Sequence, residues 1–197
     1  MLAPHWSAFS IGQYLDRVRA AAPDGVEVVG IDSWAVEPAF VEFLAAEVRR
    51  QTAELPDDTK VLFTAHSLPQ RIVAAGDPYP DQLRATAEAV AAAAGLDRWT
   101  GWSIAWQSAG RTPEPWLGPD ILAVIDDLAA AENDAGATQG IVVSAVGFVA
   151  DHLEVLYDLD IEAAKRAATH GIQFARTACV NDDPTVMAAL AQRVLHA

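Results

Sequence analysis

The sequence predicts an α/β fold, a parallel sheet with helices covering both of its faces. Two runs, Val61–Ala65 and Gly140–Val146, are almost wholly apolar, as strands buried on both faces are. Longer amphipathic segments alternate with such runs along the chain, the order that builds a parallel sheet. Proline and glycine punctuate the places where the helical segments start and stop.

Taken in order, Leu2 to His5 reads as the end of a strand and Ser10 to Ala22 as the helix after it. Residues 26–32 (VEVVGID) read as a short strand. Glu37 to Gln51 follows as a helix, with Pro38 in its first turn, where a missing N–H costs nothing. The run Val61–Ala65 ends at His66-Ser67-Leu68-Pro69, a buried strand feeding a loop. Asp81 to Ala94 has a helical period and is stopped by Gly95. Trp102 to Gln107 is a strand, followed by a loop holding Gly110, Pro113, Pro115, Gly118 and Pro119. Asp120–Ala131 is helical, Gly140–Val146 is a buried strand, Asp151–His170 is helical, and Pro184–Leu195 forms a last helix. In such sheets ligands sit beyond the carboxyl ends of the strands. That rule points at three loops, His66–Pro69, Ser108–Pro119 and Gly147–Asp151.

The chain has 197 residues, 52% hydrophobic and 20% charged, a composition that can bury a core without staples. Thirteen Lys and Arg against 27 Asp and Glu give a net charge of −14, which argues against nucleic acid and anionic membrane surfaces and leaves cations as partners. The single cysteine, Cys179, allows no internal disulfide and no four-thiolate site, which fits a reducing cytoplasm. No apolar stretch reaches the ~20 residues of a membrane span, and no basic segment followed by an apolar one opens the chain, so neither membrane insertion nor secretion is expected. No GxGxxG, GxxxxGK[ST], HExxH or GxSxG pattern occurs.

Two places carry chemistry. His66 ends an apolar strand, where a neutral imidazole can accept a proton or bind a borderline metal; it could equally satisfy backbone groups in the Ser-Leu-Pro turn. In Asp151–Glu162 (DHLEVLYDLDIE), Glu154, Asp158 and Glu162 stand four apart, which aligns three like charges on one helix face at a cost of a few tenths of a kcal/mol per pair. Such a row suits a train of hydrated cations. A solvated acidic face, with Asp151 and Glu154 forming a capping box, is the plainer reading of the same spacing. Trp99, Trp102, Trp106 and Trp116 cluster beside the Pro/Gly loop, either walling a flat pocket or packing the core.

Five segments together resemble the ferrochelatase family. They are LAPHWS (2–7), TAHSLP (64–69), GDPYPDQL (76–83), WQS (106–108) with PWLGP (115–119), and GFVADHLEVLYD (147–158). Their order and approximate spacing match the family, and the wording resembles the monoderm-bacterial, water-soluble branch that acts on coproporphyrin III. The resemblance implies a chelatase-type fold of Rossmann-like halves and insertion of ferrous iron into a porphyrin in haem biosynthesis. His66 matches the family's metal-binding, proton-accepting histidine and Glu154 the glutamate opposite it. Asp158 and Glu162 match an acidic path for the metal, and Tyr14 a tyrosine on the porphyrin. Ferrous iron is then a substrate, with no resident cofactor. Cys179 alone implies no iron–sulfur cluster of the kind some actinobacterial relatives carry.

The family's first third has no counterpart here. The expectation is one complete Rossmann-like half, residues 23–171, with residues 1–22 as a strand–helix remnant of the other and 172–197 as a segment returning to it. Apolar surface left uncovered would then favour self-association. Two further readings stand beside the enzyme. One is a fragment that keeps His66 and Glu154 and binds metal without holding a porphyrin. The other is a short cobalt or nickel chelatase, against which the glutamate of DHLE argues.

Overall fold

A computed structural model describes residues 3–97, 101–131 and 138–197. Leu2 of the first predicted strand and Trp99 lie outside these. The sheet has four parallel strands, β1 (Lys60–His66), β2 (Trp102–Gln107), β3 (Gly140–Ser144) and β4 (Gln173–Arg176), in the order β2-β1-β3-β4.

Strand side chains alternate between two cores, as a pleat of period two requires. Val61, Phe63 and Ala65 of β1 and Val142 of β3 pack with α2 (Pro38–Thr52), α4 (Tyr79–Ala94) and α8 (Pro184–Leu195). Leu62, Ala105, Ile141 and Val143 face the other way, onto α5 (Ile121–Ala130) and the helix that runs from Leu153 to Thr169. This is the expected α/β architecture, with helices on both faces.

The helix from Leu153 to Thr169 is not uniform. It opens as α6 (Leu153–Val155), widens to i→i+5 bonding over Leu156–Ala163, and closes as α7 (Ala164–Thr169). A similar wide turn, Ala8–Gly12, leads into α1 (Gln13–Ala21). The short α3 (Arg71–Ala74) sits between β1 and α4.

Several expectations change. Residues 3–5, the described part of the first predicted strand, lie in no strand. Residues 26–32 form no strand: no ladder reaches them, and Val26 and Val29 are exposed. Their apolar pattern is that of a strand, but they pair with neither edge of the four-stranded sheet. Conversely, β4 was not anticipated, because QFAR is four residues long with polar ends. It follows residue 171, yet it pairs with β3, and α8 packs in the first core with α2. The boundary at 171 therefore cuts through hydrogen-bonded structure. The capping box is also replaced: His152, not Asp151, caps the helix, its Nδ1 accepting the Glu154 N–H at 3.2 Å.

The first segment is tied to α4 by polar contacts. Gln82 Oε1 accepts from the Trp6 N–H and the Ser33 hydroxyl, and Asp77 Oδ2 accepts from the Ser7 hydroxyl and the Ala8 N–H, each at 2.8 Å. His5 is buried. The Thr86 hydroxyl donates to the Ala35 carbonyl, so His5 Nε2–H donates to it at 2.9 Å. Nδ1 is then a bare acceptor, without a partner among the described residues.

Burial lowers the His5 pKa from 6.5 to about 4. The unfolded chain takes the proton first, so the stability from neutral His5 is present above pH 6.5 and is lost as pH falls through 4. Full titration removes about 3 kcal/mol. Thermal unfolding followed between pH 7 and pH 4 is expected to show a falling midpoint, with a shallower fall in His5→Gln. Equal slopes for the two proteins would contradict this account of His5.

Candidate functional site

The strand order places a topological switch between β1 and β3. The chain leaves β1 toward α4 on one face and leaves β3 toward the Leu153–Thr169 helix on the other. Divergent exits from adjacent parallel strands open a crevice at their carboxyl ends, where ligands bind in such sheets.

His66 is the last residue of β1 and stands in register with Gln107 of β2. By alternation it shares the face of Leu62 and Thr64, the face toward the Leu153–Thr169 helix. Its Nδ1 lies 2.6 Å from the Ser67 carbonyl. A carbonyl only accepts, so Nδ1 carries the proton and the lone pair is at Nε2. That is the tautomer a base or a metal ligand needs. The ring is half-buried, and its backbone carbonyl accepts from the Tyr79 hydroxyl at 3.2 Å.

The loop after β3 turns back over β1. The Gly147 N–H donates to the Thr64 carbonyl at 3.0 Å, and a Cβ at Gly147 would stand 2.4 Å from that of Ala65. Only glycine permits this approach. The loop then delivers Asp151, the His152 cap and Glu154, which is exposed. The two strands that flank the crevice thus end in His66 and in the loop that leads to the exposed Glu154.

Asp158 and Glu162 line a cavity of about 330 Å³ with Gln107, Ser108, Arg111 and Tyr157; Glu154 does not line it. The Ser108 hydroxyl donates to Asp158, and Ser108 holds a left-handed φ of 58° that a serine adopts only at a cost. The wide turns of Leu156–Ala163 hold more than four residues each. Positions four apart therefore stay close to one line along the helix. They form a ladder rather than a cage: among the described residues no three His, Cys, Asp or Glu converge to hold a metal ion.

Other predicted residues fall elsewhere. Tyr14 is exposed on α1, none of whose residues is buried. Trp106 is core and Trp102 packs edge-on against Phe63 at 5.5 Å, while Trp116 covers Gly110 inside the Pro/Gly loop. Cys179 is buried in the second core, and burial, with the Asp151 charge, pushes its thiol up to about 12. Sequence reasoning pointed to WQS and to the Ser108–Pro119 loop but singled out none of Gln107, Ser108 and Arg111 as a site residue. It also missed Arg176 and Asn181, both bound to Asp151. A left-handed serine and a four-residue strand leave no periodic signal.

A sequence profile of the ferrochelatase family matches residues 1–197. The chain belongs to the ferrochelatase family. It is 43% identical over 201 residues to the coproporphyrin III ferrochelatase of Geobacillus kaustophilus, a match covering 99% of this chain and 61% of that protein. It is 41% identical over 198 residues to the ferrochelatase of Deinococcus radiodurans, covering 97% and 61%. This ferrochelatase-family chain thus spans about three fifths of the length of these curated relatives. The solved structure of SirB from Bacillus subtilis with Fe3+ shares the fold, with a TM-score of 0.61 at 17% identity over 98% of this chain and 68% of that one. Among the described residues no helix is long and apolar enough to cross a membrane.

Gly147→Val is expected to push the Asp151–Glu154 loop off β1 and cost about 1–3 kcal/mol, read as a lowered denaturant midpoint. An unchanged midpoint would show that the loop does not rest on Ala65.

Proposed function

We propose that this chain inserts ferrous iron into a porphyrin, coproporphyrin III in the first instance, as a step of haem biosynthesis. The observation that carries the reading is the His66 imidazole, its Nδ1–H held by the Ser67 carbonyl and its Nε2 left to accept, beside the switch point from which Glu154 emerges. The names of the relatives supply the substrate class.

Insertion exchanges two pyrrole protons for one ferrous ion, which sheds its waters on the way. His66 Nε2 is the base for a pyrrole proton. Glu154 offers an exposed carboxylate to the iron in place of lost water, and nitrogen with oxygen donors suits ferrous iron. Asp158 and Glu162 extend the carboxylates along the helix toward the cavity beside β2, a path for the hydrated ion. Tyr14, on the exposed α1, is the porphyrin contact of this reading. This reading includes no iron–sulfur cluster, Cys179 being the one cysteine of the 197 residues.

A second reading is a module that keeps His66 and Glu154 and binds iron without turning a porphyrin over. One assay separates them: ferrous iron and coproporphyrin III under anaerobic conditions, followed by the metalloporphyrin spectrum. The enzyme reading expects turnover that falls by about 10²–10⁴ in His66→Ala. Iron binding without turnover selects the module, and neither binding nor turnover removes both.

Self-association is proposed as well, through the exposed apolar side chains Val18, Val26 and Val29. Size-exclusion profiles should shift toward a larger species as concentration rises. A monomer at every concentration would overturn it.

A further inference from the structure

The carboxylates between Asp151 and Glu162 repel one another, and something must hold their helix in place. Arg176, at the end of β4, is built for that. Only 13% of its side chain is exposed, against 41% or more for the other ion-paired arginines among the described residues. Its Nε and one terminal nitrogen fork onto both oxygens of Asp160 at 2.7 and 3.1 Å. The other terminal nitrogen donates to Asp151 at 2.7 Å and to the Thr177 carbonyl at 2.8 Å.

Asn181 closes the arrangement. Its Nδ2 donates to the second Asp151 oxygen at 2.7 Å, its Oδ1 accepts the Asp151 N–H at 3.0 Å, and its own N–H donates to the Val149 carbonyl at 2.7 Å. Its φ of 49° is a left-handed value that asparagine tolerates.

These bonds grip the chain on both sides of Glu154, three residues before it and six after. Two residues from Asp160, Asp158 is held by Ser108 beyond β2. β2 and β4 are the two edges of the sheet, about 14 Å apart at three strand spacings. The wide turn is therefore fixed from opposite edges, with β1 and His66 between them.

The geometry points to Arg176 as a positioning residue that sets where Glu154 stands relative to His66, an inference that rests on the reading of those two as the iron and proton site. Arg176 also offsets part of the charge on Asp151 and Asp160. Glu154, Glu162 and the Asp158 oxygen that Ser108 does not hold are left as the carboxylates open to a cation. Asp151 itself answers to opposing effects: burial would raise its pKa, but hydrogen bonds from Asn181 and Arg176 outweigh that and hold it below the usual value.

The test compares the full chain with Arg176→Met, Arg176→Lys and Asp160→Asn. Two measurements are made: amide hydrogen exchange, and anaerobic calorimetry with ferrous iron. In Arg176→Met, exchange should quicken across residues 153–163 while β1 and α4 keep their protection. Iron affinity should fall about tenfold, the scale of losing a residue that orients a ligand. Arg176→Lys should recover part of both effects, and Asp160→Asn should lie between. Unchanged exchange at 153–163, or loosened exchange with iron affinity within twofold of the parent, overturns the inference. If Arg176→Met fails to fold, the lysine and asparagine variants decide the same point. If the parent chain binds no iron, or His66→Ala binds it equally well, the reading of the site falls instead, and exchange alone then decides whether Arg176 holds the helix.

Discussion

β1 lies between two parallel neighbours, and its backbone must stay paired on both sides to its last residue. An amide or carbonyl left unpaired at that depth costs about 1–3 kcal/mol. The loops meet this demand. The Ser67 N–H extends the ladder to the Gln107 carbonyl at 2.7 Å on the β2 side, and the Gly147 N–H reaches the Thr64 carbonyl on the β3 side. The Pro/Gly loop is drawn in as well: the Ser67 hydroxyl donates to the Leu117 carbonyl, and the Leu117 N–H to that of Leu68. Three loops are thereby stitched around one strand end, and His66 is held in the middle of them.

Pleat alternation extends that constraint across the sheet. Parallel register aligns His66 with Gln107 and Val143 with Arg176, and all four face the layer that holds the acidic helix. A slip of one residue in any strand would turn its member of the set into the opposite core. The packing that buries Leu62, Ala105 and Val143 thus also aims the polar residues at the strand ends. The site keeps unmet polar demands too: Thr64 Oγ1 and Gln107 Oε1 are buried without partners among the described residues, and Ser108 is left-handed.

Much of this could be read in advance from short-range pattern. The run VLFTA located β1, and its position before HSLP put His66 at a carboxyl edge. Proline at the first turn and Gly95 in a left-handed cap marked the ends of α2 and α4. Pattern failed where pairing decides. VEVVGID has the composition of a strand and no neighbour to bond, whereas QFAR has almost no strand signature and is held by β3. The i→i+5 turns have no sequence signal either.

By itself, the sequence determined which segments are apolar, where helices begin and stop, that His66 follows a buried strand, and that carboxylates recur every fourth residue from Glu154. These are local properties, set by side-chain chemistry and backbone sterics within a turn or two. Tertiary structure decided the rest: the order β2-β1-β3-β4, the His66 tautomer, the pairing of Asp158 with Ser108, and the grip of Arg176 on Asp151 and Asp160. Each of those needs partners brought together by strand pairing and burial, 50 residues apart in the case of Asp158 and Ser108. No spacing along the chain encodes such a meeting.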